Sequence, residues 1–231
     1  MALAASLDSH CFHRPFPHAN TIAMSTPNIK LIGTPASRVM RNIWMLAELK
    51  LPFDHDPIVT SDPALKQPPY TEWNPNAKIP ICIVDGFAIY ESLAINLYLD
   101  MKFPSAISLD TLEEKAQGIQ WAMWALTEVE FNSFNWYLNT IGKPEADRDH
   151  ALATSSWEKM QNPLAVLEKT LIGRAYILGG NFTVVDLNTA SVMYRALAMP
   201  LENFPGVRRW LDRCWAREGG LAARRARGEN L

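Results

Sequence analysis

The chain has 231 residues, 48% of them hydrophobic, and a formal net charge of -2 at pH 7. This length fits one large domain or two small ones, and the apolar content allows a sizeable core. The small net charge argues against a nucleic-acid partner, and no apolar run approaches the ~18 residues that a membrane span needs.

The isolated cysteines, Cys11, Cys82 and Cys214, form no C-x-x-C pair. They indicate a reducing compartment such as the cytoplasm, without a disulfide framework or a zinc motif.

The first stretch, residues 1–27, lacks the basic start and the apolar run of a signal peptide. Four potential metal ligands lie within it: His10, Cys11, His13 and His18. No core-forming segment surrounds them, so we interpret residues 1–27 as a disordered extension and not as a metal site. Met24 stands just before the first structured segment, and we expect it to be a real start of the protein.

Residues 28–103 mix strand and helix patterns. Apolar runs bounded by turn residues predict strands at 28–33, 53–59, 81–84 and 87–90, and helical periodicity predicts helices at 39–49 and 92–101. Residues 62–75, rich in proline and polar groups, are expected to form an irregular connection. The order β-α-β implies a parallel pair with a right-handed crossover, and Asp85-Gly86 is a hairpin turn signal. This half is therefore predicted to be an α/β domain with a small mixed sheet.

The composition changes after Phe103-Pro104, and the later patterns are almost entirely helical. We expect a linker at 104–110 and an all-helical domain at 111–217. Helical periodicity predicts helices at 113–140, 146–171 (bent near Pro163), 183–199 and 204–217, with 175–178 as a candidate strand. Residues 218–231 carry a basic cluster, which favours a solvated, frayed tail over a nucleic-acid patch.

The dipeptide Ile79-Pro80 stands at the start of the third strand. Proline has no N–H, and a strand tolerates it at its first residue. If the bond were cis, the N–H and C=O of Ile79 would face a groove and could pair with an extended peptide. Since only ~5–6% of X-Pro bonds are cis, the residues alone favour an ordinary trans proline.

Serines at two predicted helix starts allow either a structural or a binding role. Ser37 and Ser92 can each cap a helix. A helix N-terminus also attracts a carboxylate, and the adjacent Glu91 could hold an ammonium group, so Glu91 and Ser92 together suit an amino-acid headgroup. The hydroxyl of Ser37 could instead donate to a thiolate. Such a hydrogen bond, worth ~1.5–3 kcal/mol, supplies most of the about 2.7 kcal/mol that lowers a thiol pKa by two units. Taken alone, Ser37 is more often a cap.

Three motifs together resemble the glutathione transferase family, in a serine-type, bacterial-like cytosolic class. They are "GTPASRVMR", "NPNAKIPICIVDGFAIYESLAINLYL" and "NFTVVDLNTA", within a resemblance that spans about residues 28 to 217. The resemblance implies a thioredoxin-like N-terminal domain with a mixed four-stranded sheet and an all-α C-terminal domain. It also implies a cytoplasmic, homodimeric detoxification enzyme that activates the thiol of glutathione for attack on a hydrophobic electrophile. Glutathione is then a co-substrate, with no other cofactor and no metal.

The resemblance further implies a catalytic residue and five glutathione-binding residues: Ser37, and Lys78, Ile79, Pro80, Glu91 and Ser92. The serine would stabilise the thiolate. The family's proline turn is cis, so the backbone of Ile79 should pair with the cysteinyl part of glutathione. The Glu-Ser pair should hold the γ-glutamyl headgroup, and Lys78 takes the place of a polar side chain near the tripeptide.

The sequence leaves several alternatives within the site. Ala77 stands where the family has glycine, and glycine would allow backbone angles that alanine disfavours. Thr34 is a rival hydroxyl to Ser37. Lys66 is the candidate for binding the glycyl carboxylate of glutathione. The electrophile is expected against the first long helix of the second half, with Trp121 or Trp124 as walls, although tryptophans at helical spacing more often belong to a core.

Thr183 and Asp186 fit a helix capping box, with Phe182 and Leu187 as its hydrophobic staple. We assign this motif to folding and not to the site.

Two other functions remain open. One is a non-catalytic binding or regulatory module of the same fold. The other is a different glutathione-dependent reaction, such as isomerisation, dehalogenation or peroxide reduction.

Overall fold

The computed structural model describes residues 26–231. Seven elements make up its N-terminal half: β1 (Ile29–Ile32), α1 (Val39–Glu48), β2 (Asp54–Asp56), α2 (Tyr70–Trp73), β3 (Ile81–Val84), β4 (Phe87–Tyr90) and α3 (Ser92–Lys102). The expectations for residues 1–25, including the metal-ligand set and the start at Met24, lie outside the described residues.

The strands form one four-stranded sheet in the order β2-β1-β3-β4. β1 runs parallel to β2 and antiparallel to β3, and the β3-β4 hairpin turns at Asp85 and Gly86, which have φ angles of 51° and 86°. Positive φ at both central residues is the geometry of a type I′ hairpin turn. The predicted mixed sheet and thioredoxin-like organisation are therefore confirmed.

The connection at 62–75 contains more regular structure than its composition suggests. A 3-10 turn covers Pro63–Lys66, and α2 follows it. Asp62 accepts a hydrogen bond from the N–H of Ala64 at 2.9 Å, and Pro63 occupies a first-turn position where its missing N–H costs nothing. The proline and aspartate that indicated an irregular segment thus begin a short helical turn.

The second half is helical, as predicted. Its helices are α4 (Leu112–Trp124), α5 (Phe131–Tyr137), α6 (His150–Thr170), α7 (Val184–Val192), α8 (Pro205–Trp215) and α9 (Glu218–Ala226). A π-helical turn at Ala125–Glu130 joins α4 and α5 into one run, and a second one at Leu138–Gly142 extends α5 at its C-terminal end. A 3-10 turn at Met193–Ala198 follows α7. The candidate strand at 175–178 is only an isolated bridge between Tyr176 and Gly179. None of the helices described is both long and apolar enough to cross a membrane.

The expectation of a frayed tail at 218–231 is wrong, because α9 folds back onto α1. Ala223 is fully buried. A Cβ added at Gly219 would lie 2.8 Å from the side chain of Glu48 and 2.9 Å from that of Trp44. Small residues of α9 therefore allow close packing against α1, and two of the arginines that suggested a solvated tail, Arg224 and Arg225, form salt bridges with Glu229 and Glu218.

A ladder of buried asparagines joins the two halves. Asn42 on α1 donates to the Oδ1 of Asn96 on α3 at 2.8 Å, and Asn96 donates to the Oδ1 of Asn188 on α7 at 2.8 Å. Asn42 also donates to the carbonyl of Ser92 at 2.8 Å. Since a buried polar group without a partner costs about 1–3 kcal/mol, this ladder fixes α1, α3 and α7 in one register.

The capping box at the start of α7 is confirmed. The Thr183 hydroxyl accepts the N–H of Val185 at 3.3 Å, and Asp186 accepts the N–H of Thr183 at 3.0 Å. The fully buried Asp186 carboxylate also accepts the backbone N–H of Ile177 at 2.8 Å and the indole N–H of Trp210 at 2.9 Å. Burial raises the pKa of Asp186 by more than these donors lower it. The carboxylate thus joins α7, the preceding loop and α8.

We expect Asp186→Ala to lower the free energy of unfolding by about 3 kcal/mol, because it leaves several buried donors without an acceptor. Thr183→Ala, which removes only the cap hydroxyl, should cost about 1 kcal/mol. Urea denaturation of the two variants beside the wild type measures both values. Equal losses in the two variants would show that Asp186 acts only as part of the cap.

Candidate active site

Two adjacent cavities lie at the boundary between the sheet domain and the helical domain. The larger, of about 690 Å³, lies between the loop before β3, the start of α3, and α4. The smaller, of about 420 Å³, lies between the start of α1, α5, and the turn after α7. Both volumes are within the range typical of small-molecule sites, about 300–1,000 Å³. Arg38, Leu126 and Glu130 line both cavities and form their common boundary.

The larger cavity brings together the predicted glutathione-binding residues: Lys78, Ile79, Pro80, Glu91 and Ser92. The Ile79–Pro80 bond is cis, as the family resemblance implied and contrary to what the residues alone favoured. Neither the N–H nor the C=O of Ile79 has a hydrogen-bond partner in the part of the chain that the structure describes. These two backbone groups, which we call the backbone rung of Ile79, are therefore free to pair with a ligand beside the cavity.

The loop before this rung is held by an asparagine that the sequence analysis missed. Asn74 is buried and donates from its side chain to the carbonyl of Lys78 at 2.7 Å. Its Oδ1 accepts the N–H of Asn76 at 3.0 Å. The signal was present in "NPN", since asparagine commonly stabilises turns through its side chain. Between these contacts, Ala77 has a φ of 52°, so the loop keeps the left-handed conformation that glycine would adopt more easily.

The start of α3 differs from the expected serine cap. Ser92 is the first residue of the helix, and Glu91 before it has φ 70° and ψ 110° without a capping hydrogen bond. The hydroxyl of Ser92 instead accepts a hydrogen bond from Arg41 at 3.2 Å. The first backbone hydrogen bond of α3 is from Ile95 to the carbonyl of Glu91, so the N–H groups before Ile95 remain available at the cavity wall.

Ser37 lines the smaller cavity and not the larger one. Its hydroxyl donates to the carbonyl of Thr34 at 2.7 Å and accepts the N–H of Val39 at 3.2 Å. The N-cap residue of α1 is Arg38, without a side-chain cap, so Ser37 stabilises the helix start from the position before the cap. The rival hydroxyl, that of Thr34, lines neither cavity. Of the two candidates, only Ser37 reaches a cavity.

Other candidates lie away from both cavities. Lys66 is exposed in its 3-10 turn and lines neither one. Trp121 and Trp124 pack edge to face, 4.9 Å apart, and also line neither. The expected tryptophan walls are therefore wrong. Smaller side chains one or two positions away in α4 line the larger cavity instead: Ile119, Ala122 and Met123.

A partly buried charge cluster lies at the shared boundary of the two cavities, and the sequence analysis missed it. Arg41 is only 3% exposed and donates to the Oε1 of Glu130 at 2.5 Å. Arg38 donates to the same oxygen at 2.8 Å. Burial raises the pKa of the Glu130 carboxyl, but the two arginines outweigh burial and hold it below its usual range. The available signal was an acid on the buried face of α4–α5, next to Val129.

We expect Glu130→Gln to lower the free energy of unfolding by about 3–5 kcal/mol, because it leaves the buried Arg41 cation unpaired. The matched control is Glu128→Gln, which changes an exposed acid two residues away and should cost less than about 0.5 kcal/mol. Chemical denaturation of both variants checks the difference. Similar stabilities for the two variants would contradict the role of the pair.

The lowered pKa of Glu130 also gives this contribution a pH dependence. A carboxyl with a depressed pKa stabilises the folded protein above its unfolded-state pKa of about 4.3. The contribution is lost as the pH falls through the lower pKa of the folded protein. The stability difference between wild type and Glu130→Gln should therefore narrow below about pH 4.

Comparison with known proteins gives matches over most of the chain. A model of the glutathione S-transferase N-terminal domain matches residues 37–102, and one of the C-terminal domain matches residues 132–218. Glutathione S-transferase 3 of Zea mays is 29% identical over 206 residues, covering 82% of this chain and 90% of that protein. Glutathione S-transferase hmp2 of Hypomyces subiculosus is 27% identical over 214 residues, covering 84% and 97% respectively.

A solved structure shows the same fold. The theta class glutathione S-transferase from the citrus canker pathogen Xanthomonas axonopodis pv. citri, with glutathione bound, superposes with a TM-score of 0.77 at 25% identity. The match covers 89% of this chain and 99% of that one.

Proposed function

The chain belongs to the glutathione S-transferase family, and we propose that it catalyses attack of the glutathione thiolate on a hydrophobic electrophile. The observation that carries this proposal is the composition of the larger cavity. That cavity contains the free backbone rung of Ile79, the carboxylate of Glu91 and the open N-terminus of α3. These are the groups that a peptide carrying an amino-acid headgroup requires.

Each part of glutathione then has a matching group. The α-carboxylate of the γ-glutamyl residue binds the free N–H groups of α3 and the Ser92 hydroxyl, where the helix dipole favours an anion. Its ammonium group pairs with Glu91, which is exposed and has no salt bridge among the described residues. The cysteinyl backbone pairs with Ile79, as an added strand pairs with a sheet edge. Lys78 supplies a cation beside the tripeptide.

The thiol of a glutathione molecule held in this way points toward the shared boundary with the smaller cavity. Ser37 lies on the far side of that boundary, and its hydroxyl must turn from the carbonyl of Thr34 to donate to the thiolate. Arg38 lines both cavities and adds a positive charge there, which lowers a nearby thiol pKa. The smaller cavity receives the electrophile.

The reaction needs only glutathione as co-substrate, without a metal or another cofactor. We also propose a homodimer and a cytoplasmic location, where reduced glutathione is available. The family membership supports both proposals, and the free thiols of Cys82 and Cys214 fit the reducing compartment.

The first test is calorimetric titration of reduced glutathione into the wild type and into Glu91→Gln. Loss of the carboxylate removes a charge-assisted hydrogen bond worth ~1.5–3 kcal/mol, so affinity should fall about 10-fold or more. Glu113→Gln, an exposed acid of α4 that lines neither cavity, is the matched control. Equal affinities in all three proteins would refute the headgroup assignment. Absence of binding to the wild type at millimolar ligand would favour the non-catalytic module.

The second test concerns Ser37. Ser37→Ala should lower kcat more than 10-fold while leaving glutathione affinity within about twofold, since the hydroxyl acts on the thiolate and not on the tripeptide. The kinetic pKa of the bound thiol should rise by about one to two units, the equivalent of one hydrogen bond to a charged group. This pKa is measured by recording the absorbance of the bound thiolate at a series of pH values in a stopped-flow instrument. An unchanged thiol pKa would leave Ser37 with only a structural role at the start of α1.

A further inference from the structure

The charge of the smaller cavity is unusual for a site that receives a hydrophobic molecule. Four arginines line it, Arg38, Arg41, Arg195 and Arg227, against one acid, Glu130. Four positive charges against one negative leave an excess of three. A cavity with this balance attracts an anion and repels a cation.

The arginines differ in their existing partners. Arg38 and Arg41 share the carboxylate of Glu130, and Arg227 donates to the backbone carbonyl of Ala36 at 2.7 Å. The guanidinium of Arg195 makes no hydrogen bond or salt bridge to any residue between 26 and 231. Half-buried cations normally have a partner, so Arg195 has its donors free at the cavity wall.

Aromatic contacts hold Arg195 in place. Its guanidinium carbon lies 4.7 Å from the ring centre of Phe134 and 6.0 Å from that of Tyr137. Burial lowers the pKa of Arg195, and the attraction of Glu130 offsets only part of this effect, since Arg227 and Arg38 also lower it. An anionic ligand would supply the missing counter-charge.

Apolar side chains surround these donors. Leu126, Phe131, Phe134 and Tyr194 line the same cavity, and Phe131 is largely exposed. A flat aromatic ring fits between such side chains, and a carboxylate on that ring can accept two parallel N–H groups of one guanidinium.

We propose that the second substrate of this protein is an anionic electrophile, an aromatic or unsaturated compound with a carboxylate, and that Arg195 determines this specificity by binding the carboxylate. The assignment rests on the proposed function for the reaction itself. Binding of the anion, however, depends only on the smaller cavity and can be measured without turnover.

The corresponding step is balanced for an aryl halide. The glutathione thiol loses its proton to solvent, and the thiolate sulfur forms a C–S bond at the ring carbon that carries chlorine. The C–Cl bond then breaks, and chloride leaves with the electron pair. The carboxylate takes no part in the bond changes and only orients the ring.

The first experiment measures binding without reaction. Calorimetric titration compares 3-nitrobenzoate with the neutral 3-nitrobenzamide on the wild type, Arg195→Gln and Arg209→Gln. Arg209 is an exposed arginine of α8 that lines neither cavity, so its variant controls for net charge. We expect the wild type and Arg209→Gln to bind the benzoate about 10-fold or more tightly than the benzamide, the worth of a charge-assisted hydrogen bond. Arg195→Gln should lose that preference.

Equal affinity of the wild type for the two compounds would overturn the inference, and this comparison does not depend on the folding of any variant. An equal loss of preference in Arg209→Gln and Arg195→Gln would also overturn it, since general charge would then explain the effect. Arg195→Lys, which keeps the charge but not the planar pair of donors, should recover part of the preference.

The second experiment measures kcat/KM with glutathione and either 4-chloro-3-nitrobenzoate or the corresponding amide, each divided by its uncatalysed rate. Arg195→Gln should lower the value for the benzoate about 10- to 100-fold and that for the amide less than about twofold. Glutathione affinity should not change. A loss of glutathione affinity in Arg195→Gln would place Arg195 on a carboxylate of glutathione and refute the inference.

These readouts separate the inference from the proposed function. If glutathione does not bind but the benzoate preference persists and requires Arg195, the proposed function fails and the anion site stands. If glutathione binds and the neutral amide reacts without any benzoate preference, the proposed function stands and the anionic substrate class is wrong.

Discussion

The arrangement of the site depends on the burial of Arg41. A guanidinium that is 3% exposed must have a counter-charge, because an unpaired buried charge costs several kcal/mol. That counter-charge, Glu130, lies on the other domain, and the same guanidinium donates to the hydroxyl of Ser92. One side chain of α1 thereby links the helical domain to the start of α3. The domains cannot move apart at this point without exposing or unpairing the charge.

The same constraint divides the space between the domains into two compartments. Glu130 and Arg38 form the shared boundary. The larger compartment contains the unpaired backbone groups of Ile79 and the open N-terminus of α3. The smaller compartment has more arginines than acidic residues. Under the proposed function, a peptide thiol and an anionic electrophile would meet from opposite sides of this ion pair. The asparagine ladder from Asn42 to Asn188 lies beside this pair and gives it a rigid support. Preorganisation of this kind lowers the entropic cost of bringing two reactants together.

The parts of this structure that the sequence predicted are those set by local chemistry. The hairpin follows from Asp85-Gly86, and the capping box follows from Thr183 and Asp186. The mistakes arose where a distant residue competes for the same atom. The cap expected at Ser92 is absent because the hydroxyl accepts a hydrogen bond from Arg41, about fifty positions away in the chain. The glycine and alanine face of α9 carries no signal until α1 is known to approach it. Glu130 likewise gains meaning only from arginines about ninety positions away.

Backbone conformation gives an independent indication of where function is concentrated. Four residues other than glycine have positive φ: Lys50, Ala77, Asp85 and Glu91, within the described chain. Asp85 is explained by its hairpin turn, and Lys50 by its position just past the end of α1. Ala77 follows the turn that Asn74 holds, and Glu91 has no such local explanation. Both lie at the larger cavity, Ala77 between two lining residues and Glu91 as one of them. Each such conformation costs on the order of 1–3 kcal/mol. Both conformations therefore lie at the cavity that we propose for glutathione, one before the unpaired backbone of Ile79 and the other at Glu91 itself.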